Sequence, residues 1–152
     1  MTEPKFRATA DQDPDMQEAF AKAASTIAKF IALVELNEHE VTMAKLRFRD
    51  PDLSEETGED QFLYLWLNEI LYHKEDNLLS GVFFELPKEL EKWHKVGERL
   101  GFEPEDAFDW CVIQGGNASG GFTLQATRNQ MKTEQEKMKF DQHIGIDSFA
   151  QI

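Results

Sequence analysis

Residues 62–71 read FLYLWLNEIL, and this almost unbroken run of aromatic and aliphatic side chains decides the fold. Apolar residues at successive positions favour a central strand covered on both faces over a helix that faces solvent. The polar turn YHKEDN at 72–77 and the apolar run LLSGVFFEL at 78–86 follow. We therefore expect residues 62–86 to form an antiparallel hairpin at the middle of a sheet.

Before this hairpin, the sequence predicts a long helix. Asp13 followed by Pro14 is typical of a helix start, because the aspartate caps the first turn and proline has no N–H to leave unpaired. Apolar residues then recur at spacings of three and four: Met16, Phe20, Ala23, Ile27, Phe30, Ile31 and Val34. This stripe indicates one amphipathic helix that packs on the core and ends near Leu36. The alternating segment VTMAKLRF at 41–48 indicates a strand after it.

After the hairpin, the pattern becomes less regular. Pro87, Leu90, Trp93, Val96 and Leu100 have helical spacing, although a glycine within a helix costs about 1 kcal/mol relative to alanine and Gly97 lies among them. The segment 106–110 has the composition of a tight turn. Near the C-terminal end, Thr133 with Glu136 forms a capping box, which predicts a short helix through Met138 and Phe140.

Four glycines fall within GGNASGG at 115–121, between the apolar segments CVI and GFTLQA. A phosphate-binding loop needs a strand, a glycine loop and then a helix whose first amides face the anion. We interpret GFTLQA as a strand, and the last glycine is not followed by Lys-Ser or Lys-Thr. The loop is therefore expected to connect two strands of a hairpin and not to bind phosphate.

These elements predict one α+β domain over residues 13–152, preceded by a flexible segment at 1–12. We expect a long N-terminal helix packed on a bent antiparallel sheet of about five strands, with a short C-terminal helix. The 12 Phe and 3 Trp supply enough apolar surface for a core, which excludes a wholly disordered chain.

The composition also limits the partners. A net charge of −13 repels nucleic acid phosphates and acidic lipids and favours a basic protein partner. The sequence shows no apolar run near the roughly 18 residues that cross a bilayer and no secretory signal, so we expect a cytoplasmic protein without membrane contact. We expect the one cysteine, Cys111, to be buried and structural.

The segment DPDLSEETGED at 50–60 is the strongest surface feature, because it carries six carboxylates and no basic residue. We expect it to be a solvated loop between Pro51 and Gly58, and it is the candidate surface for a basic partner. Its carboxylates miss the spacing of a calcium-binding EF-hand loop. They are Asp50, Asp52, Glu55, Glu56, Glu59 and Asp60.

A second candidate site is a pocket formed by Asp109, Trp110 and Thr123, in which an aspartate among apolar groups could act as a general acid. The alternative is that Asp109 caps a turn by accepting backbone N–H groups. His39 begins a sequence like a zinc protease helix, but Met43 stands where the second histidine is needed. We therefore expect no metal, no cofactor and no catalytic residue.

Several of these segments together resemble the YegJ-like bacterial domains of unknown function over about residues 41–146. The residues that carry the resemblance are Trp66, Gly81, Gly97, Asp109, Trp110, Gly120, Gly121, Phe122, Thr123 and Phe140. The longer PKELEKWHK segment and Glu98, in place of an aspartate, depart from the family pattern. The resemblance implies a strand at 99–102, so the preceding helix would end near His94 and Gly97 would turn the chain.

From these features we expect a non-catalytic binding protein, with an immunity protein that blocks a basic toxin domain as the specific hypothesis. An enzyme or small-ligand binder that uses the pocket near Asp109 and Trp110 is the alternative. An accessory structural domain is the third possibility that the sequence leaves open.

Overall fold

A computed structural model describes residues 13–151 as five α-helices and one seven-stranded sheet. The helices are α1 (Pro14–Ser25), α2 (Ile27–Leu36), α3 (Pro51–Thr57), α4 (Phe122–Asn129) and α5 (Glu134–Ile144). The strands are β1 (Val41–Arg49), β2 (Phe62–His73), β3 (Leu78–Phe83), β4 (Arg99–Phe102), β5 (Ala107–Gln114), β6 (Asn117–Gly120) and β7 (Ser148–Phe149). The α+β class is confirmed. The predicted segment at 1–12 lies outside the described residues.

The sheet has the strand order β4-β3-β2-β1-β5-β6-β7. Every neighbouring pair is antiparallel except β6 and β7, which are parallel. The predicted hairpin is confirmed as β2 and β3, and Leu63–Leu67 is buried at five successive positions, as expected for a strand covered on both faces. Helices α1 and α2 supply Ala23, Phe30 and Val34 to one core cluster, and α4 and α5 supply Leu124 and Ile144 to a second.

The sheet must curve, because a short connection joins distant strands. Only residues 103–106 link β4 to β5, although β3, β2 and β1 lie between them in the sheet. Four strand spacings in a flat sheet are about 19 Å, whereas five fully extended residue steps reach at most about 18 Å. Part of this link is a 3₁₀ turn, Pro104–Asp106, which is shorter still. Curvature brings Phe102 of β4 into the same core cluster as Leu46 of β1.

The predicted long N-terminal helix is wrong, because the chain breaks at Thr26 into α1 and α2. The Thr26 hydroxyl donates to the Lys22 carbonyl at 2.7 Å and accepts the Trp110 indole N–H at 3.0 Å. The apolar stripe continues through the break because both helices pack on the same core cluster. The predicted helix start is confirmed, since the Asp13 side chain accepts the N–H of Asp15 and Pro14 is the first helical residue.

The predicted count of about five strands is too low, because two short strands lie in segments that we did not interpret as strands. Strand β6 lies within the glycine loop itself, and β7 lies in the C-terminal segment. GFTLQA, interpreted as a strand, is instead the start of α4. Gly120 and Gly121 have φ angles of +80° and +64°, and they turn the chain from β6 directly into this helix.

Three further segments differ from their predictions in part. The helix expected to end near His94 is one 3₁₀ turn, Lys88–Leu90, whereas the turn at Gly97 (φ +91°) and strand β4 at 99–102 are confirmed. The tight turn expected at 106–110 is wrong, because β5 begins at Ala107 and Asp109 lies within it. The Thr133 cap of α5 is confirmed, because the Thr133 hydroxyl accepts the Glu136 N–H. The predicted capping box is incomplete, because the Glu136 carboxylate accepts the backbone N–H of Lys132 and not that of Thr133.

Candidate functional site

The acidic segment at 50–60 is mainly a helix, not the expected loop. Asp50 accepts the N–H of Leu53 at 3.1 Å, Pro51 is the first helical residue, and Gly58 ends α3 with a φ of +76°. Asp50 is buried, so it is a cap that holds the helix in place and is not available to a docking partner. The other five carboxylates of the segment are on exposed residues: Asp52, Glu55, Glu56, Glu59 and Asp60.

Two of the exposed carboxylates have basic partners from outside the segment. Lys92 Nζ lies 2.8 Å from Asp52, and Arg49 Nε lies 3.0 Å from Asp60. The bond to Asp52 raises the pKa of Lys92 above its ordinary value of 10.5. Among residues 13–151, no lysine or arginine pairs with the carboxylates of Glu55, Glu56 or Glu59. These three residues, Glu55 and Glu56 within α3 and Glu59 two residues after its end, form what we call the open acidic face of α3.

We expect Asp50→Ala to lower the free energy of unfolding by about 1 to 2 kcal/mol, as the loss of a helix cap does. The cause is the unpaired N–H of Leu53 at the first turn of α3. Urea denaturation of this variant beside Glu55→Ala checks the result, since Glu55 is an exposed residue of the same helix. Equal stability of the two variants would contradict a structural role for Asp50.

The three residues of the second candidate site are fully buried. Asp109 accepts the N–H groups of Trp110, Phe122 and Thr123 at 2.8 to 3.1 Å and the Thr123 hydroxyl at 2.6 Å. Lys45, itself 1% exposed, donates to that hydroxyl at 3.0 Å and faces Asp109 across the β1–β5 pair. The structure therefore joins Asp109 and Thr123 in a polar network within the core.

This network occupies the N-terminus of the helix that follows the glycine loop. A helix, not a strand, follows Gly121, so the loop has the strand, glycine and helix order that we took to be missing. The first N–H groups of α4, on Phe122 and Thr123, nevertheless bind the Asp109 carboxylate. A carboxylate of the chain itself thus lies where an external anion would bind at a helix N-terminus.

Burial raises the pKa of Asp109 above its ordinary value of 3.8, and the bonds from Thr123 and the charge of Lys45 oppose this shift. The folded protein therefore holds the Asp109 proton more tightly than the unfolded chain does. The contribution of Asp109 to stability is present below about pH 3.8 and is lost as the pH rises through its folded pKa. The network thus buries a lysine and an aspartate that the Thr123 hydroxyl bridges, and the charge of Lys45 offsets part of the cost of burying Asp109.

Cavities of about 210, 320 and 420 Å³ open elsewhere in the described structure, and Asp109, Trp110 and Thr123 line none of them. Trp110 stacks on Phe30 with ring centroids 5.3 Å apart and meets Phe122 edge to face at 5.8 Å. Cys111 is buried beside it in the sheet, as expected. The packing around Trp110 is thus aromatic, with a hydrogen bond to Thr26 at its indole nitrogen.

The 320 Å³ cavity is a feature that sequence reasoning missed. It lies where the α2–β1 connection meets β2 and β4, and its polar lining includes His39, Asn68, Glu69 and Arg99. Glu69 has a φ of +49°, which is unusual for a residue other than glycine. We considered His39 only as a metal ligand, and no group of three His, Cys, Asp or Glu side chains within 13–151 is placed to hold a metal. No sequence pattern indicated that Asn68 or Arg99 would join His39.

Comparison with known proteins gives a family and one partial relative. A protein of Neisseria meningitidis serogroup B named "Putative ankyrin repeat protein" is 37% identical over 93 residues, which cover 59% of this chain and 35% of that protein. The chain thus spans about a third of the length of this relative. No solved structure matches the chain. No helix within residues 13–151 is long and apolar enough to cross a membrane.

The family match covers residues 13–148, which includes every helix and strand described above except the last residue of β7. It confirms the expectation of a bacterial domain of unknown function, whereas the narrower YegJ-like resemblance stays a prediction. The chain belongs to the family described as "Uncharacterized protein conserved in bacteria (DUF2314)".

Proposed function

We propose that this protein is a non-catalytic binding protein that docks a basic protein partner on the open acidic face of α3. The observation that carries the proposal is the absence, within residues 13–151, of a basic partner for the carboxylates of Glu55, Glu56 and Glu59. Like charges held close together on α3 and just after its end repel each other, and a cationic surface relieves that repulsion.

The fold supports this role by fixing the helix. Asp50 caps its start, and the Ser54 hydroxyl accepts the N–H of Gln61 at 2.8 Å, which ties α3 to the start of β2. Binding at this face should cost little conformational entropy, because the acidic side chains already lie on a fixed backbone. The net charge of −13 would also accelerate the approach of a cationic protein at low salt.

The partial relative adds a second line of support. Its name describes ankyrin repeats, and repeats of this kind stack into extended binding surfaces. The matched region belongs to a protein that carries this name, which supports a binding role for this chain. The specific form of the proposal is a cytoplasmic immunity protein that occludes a basic toxin domain.

To test the proposal, the tagged protein is used to recover partners from an extract of its source, at low and high salt. The variant Glu55→Gln, Glu56→Gln, Glu59→Gln is compared with the control Glu75→Gln, Asp76→Asn, Glu91→Gln, whose three carboxylates are exposed elsewhere. Both triple variants change the net charge by the same amount, so a difference between them reports position and not overall charge.

We expect wild type and control to retain one basic protein near equimolar amounts at low salt and to release it at high salt. The α3 variant should retain at least about tenfold less, since it loses three charges facing the partner. Equal retention by the two triple variants would refute docking on α3. Recovery of no basic protein would favour the accessory-domain alternative.

A further inference from the structure

The cavity beside His39 has the composition of a small-molecule site. Its volume of about 320 Å³ lies at the lower end of the range for such sites. Its apolar wall comes from two helical residues and three strand residues: Leu33, Val34, Val41, Ile70 and Leu71. Polar side chains complete the lining on the side of β2 and β4. An apolar wall with a few polar groups is typical of ligand pockets.

Three polar atoms of this lining are buried without a partner. Both ring nitrogens of His39 and Oδ1 of Asn68 are inaccessible to solvent and bond no group within residues 13–151. Buried polar atoms nearly always have a hydrogen-bond partner, because leaving one unpaired costs free energy. A molecule bound in the cavity could supply the missing donors and acceptor once the side chains that cover these atoms shift.

Two further residues of the lining, Glu69 and Arg99, are joined by a hydrogen bond, and the backbone of Glu69 is strained. Glu69, with its positive φ, lies at the irregularity between Asn68 and Leu71 in the β2–β3 pairing. Its carbonyl accepts a bond from Arg99 Nη1 at 3.0 Å, and the same nitrogen donates to Ser80 Oγ at 2.9 Å. Backbone strain of this kind is often found where a ligand binds.

Anchoring through Nη1 orients the rest of the Arg99 guanidinium. Within residues 13–151, the hydrogen bonds of Arg99 use Nη1 alone, which leaves Nε and Nη2 as a parallel pair of donors. That pair matches the two oxygens of a carboxylate. Glu69 and Glu40 also belong to the lining, although the Glu40 carboxylate accepts the Gly115 N–H at 3.0 Å, so Glu69 is the acidic residue that supplies the opposite charge.

We propose that this cavity binds a free α-amino acid with an apolar side chain. Its carboxylate would bind Arg99, its ammonium group would face Asn68 Oδ1 and the acidic lining, and its side chain would lie on the aliphatic wall. His39 would donate to the same carboxylate through one ring nitrogen and accept from the ammonium group through the other. This inference does not depend on docking at α3, which lies at a different place in the chain.

The test measures ligand binding by thermal unfolding and calorimetry, with L-leucine and L-phenylalanine as probes. A free amino acid at about ten times its Kd should raise the Tm by about 5 °C. N-acetyl-leucine, which lacks the ammonium group, and leucinamide, which lacks the carboxylate, should each bind at least about tenfold more weakly. If both analogues bind as well as leucine, or no probe binds, the proposal is overturned.

Variants separate the site from the fold. His39→Leu should abolish binding and unfold at the wild-type temperature or above, because it removes two buried unpaired nitrogens. Arg99→Gln should weaken binding at least about tenfold, whereas Arg49→Gln, an exposed arginine outside this lining, should bind as wild type does. Wild-type affinity in the His39 and Arg99 variants would overturn the proposal.

Discussion

Lys45→Met is expected to lower the free energy of unfolding by about 3 to 5 kcal/mol at pH 7, the loss typical of a buried charge whose opposite charge has been removed. Methionine fills nearly the same volume, so the loss would not come from a cavity. It would come from Asp109, which is fully buried and would lose the nearby positive charge that opposes its desolvation. The hydrogen bonds that Asp109 accepts from the N–H groups of Phe122 and Thr123 hold its carboxylate in place, so it cannot move to solvent.

The pH dependence of this loss identifies its cause. Without Lys45, the pKa of Asp109 should rise further, so the ionised carboxylate destabilises the fold over a wider range above pH 3.8. The stability difference between variant and wild type should therefore shrink as the pH falls from 7 to about 4. Urea denaturation at both pH values measures it, with Lys74→Met as the exposed control. A loss that is the same at both pH values would point to packing and contradict the electrostatic account.

Gly120→Ala is expected to destabilise the protein by at least about 3 kcal/mol, since backbone strain and overpacking each cost about 1 to 3 kcal/mol. Gly120 has a φ of +80° at the end of β6. A Cβ there would also lie 2.6 Å from Cε3 of the Trp110 ring and would collide with the Trp110 carbonyl. Neither the ring nor the carbonyl of Trp110 can move aside easily, because the Trp110 ring is held between Phe30 and Phe122.

Gly58→Ala is the matched control for this prediction. Gly58 has a similar φ of +76°, but a Cβ built there meets nothing within 4 Å. Its replacement should therefore cost only the backbone term, about 1 kcal/mol. Thermal and urea unfolding of the two variants separates backbone strain from close approach. Equal losses would show that the approach of Gly120 to Trp110 does not matter for stability.

Local patterns in the sequence predicted the elements that depend on local chemistry. The Asp13 and Pro14 start of α1, the hairpin around 62–83 and the Thr133 cap of α5 all rest on neighbouring residues. The same local signs were present for α3, since Asp50 and Pro51 precede it and Gly58 ends it. We predicted a loop there from the charge of the segment, with Pro51 and Gly58 treated as breakers of structure and not weighed as helix boundaries.

Long-range contacts decide the elements that the sequence did not predict. Thr26 breaks the N-terminal helix where it bonds Trp110, which lies 84 positions away. The first amides of α4 are bound by Asp109, 13 and 14 positions before them. Periodicity depends only on residues close together in the sequence. It therefore predicted one helix through Thr26 and a strand at the start of α4.

The candidate sites also differ in how far local sequence patterns could predict them. Charge alone singled out the acidic segment, but composition could not show that Asp50 is buried or that Asp52 and Asp60 pair with Lys92 and Arg49. The cavity at His39 depends on the positive φ of Glu69 and on Arg99, which lies 60 positions after His39 in the sequence. No local pattern marks either of them as part of a common site.

Hydrogen exchange of the protein alone and in complex with the recovered basic partner tests the central claim most directly. If the open acidic face of α3 is the docking surface, backbone amides at 52–60 should exchange more slowly in the complex. Amides of the 74–77 turn, which carries its own exposed acids, should exchange at an unchanged rate. Slowed exchange on another face, with 52–60 unchanged, would contradict docking on α3.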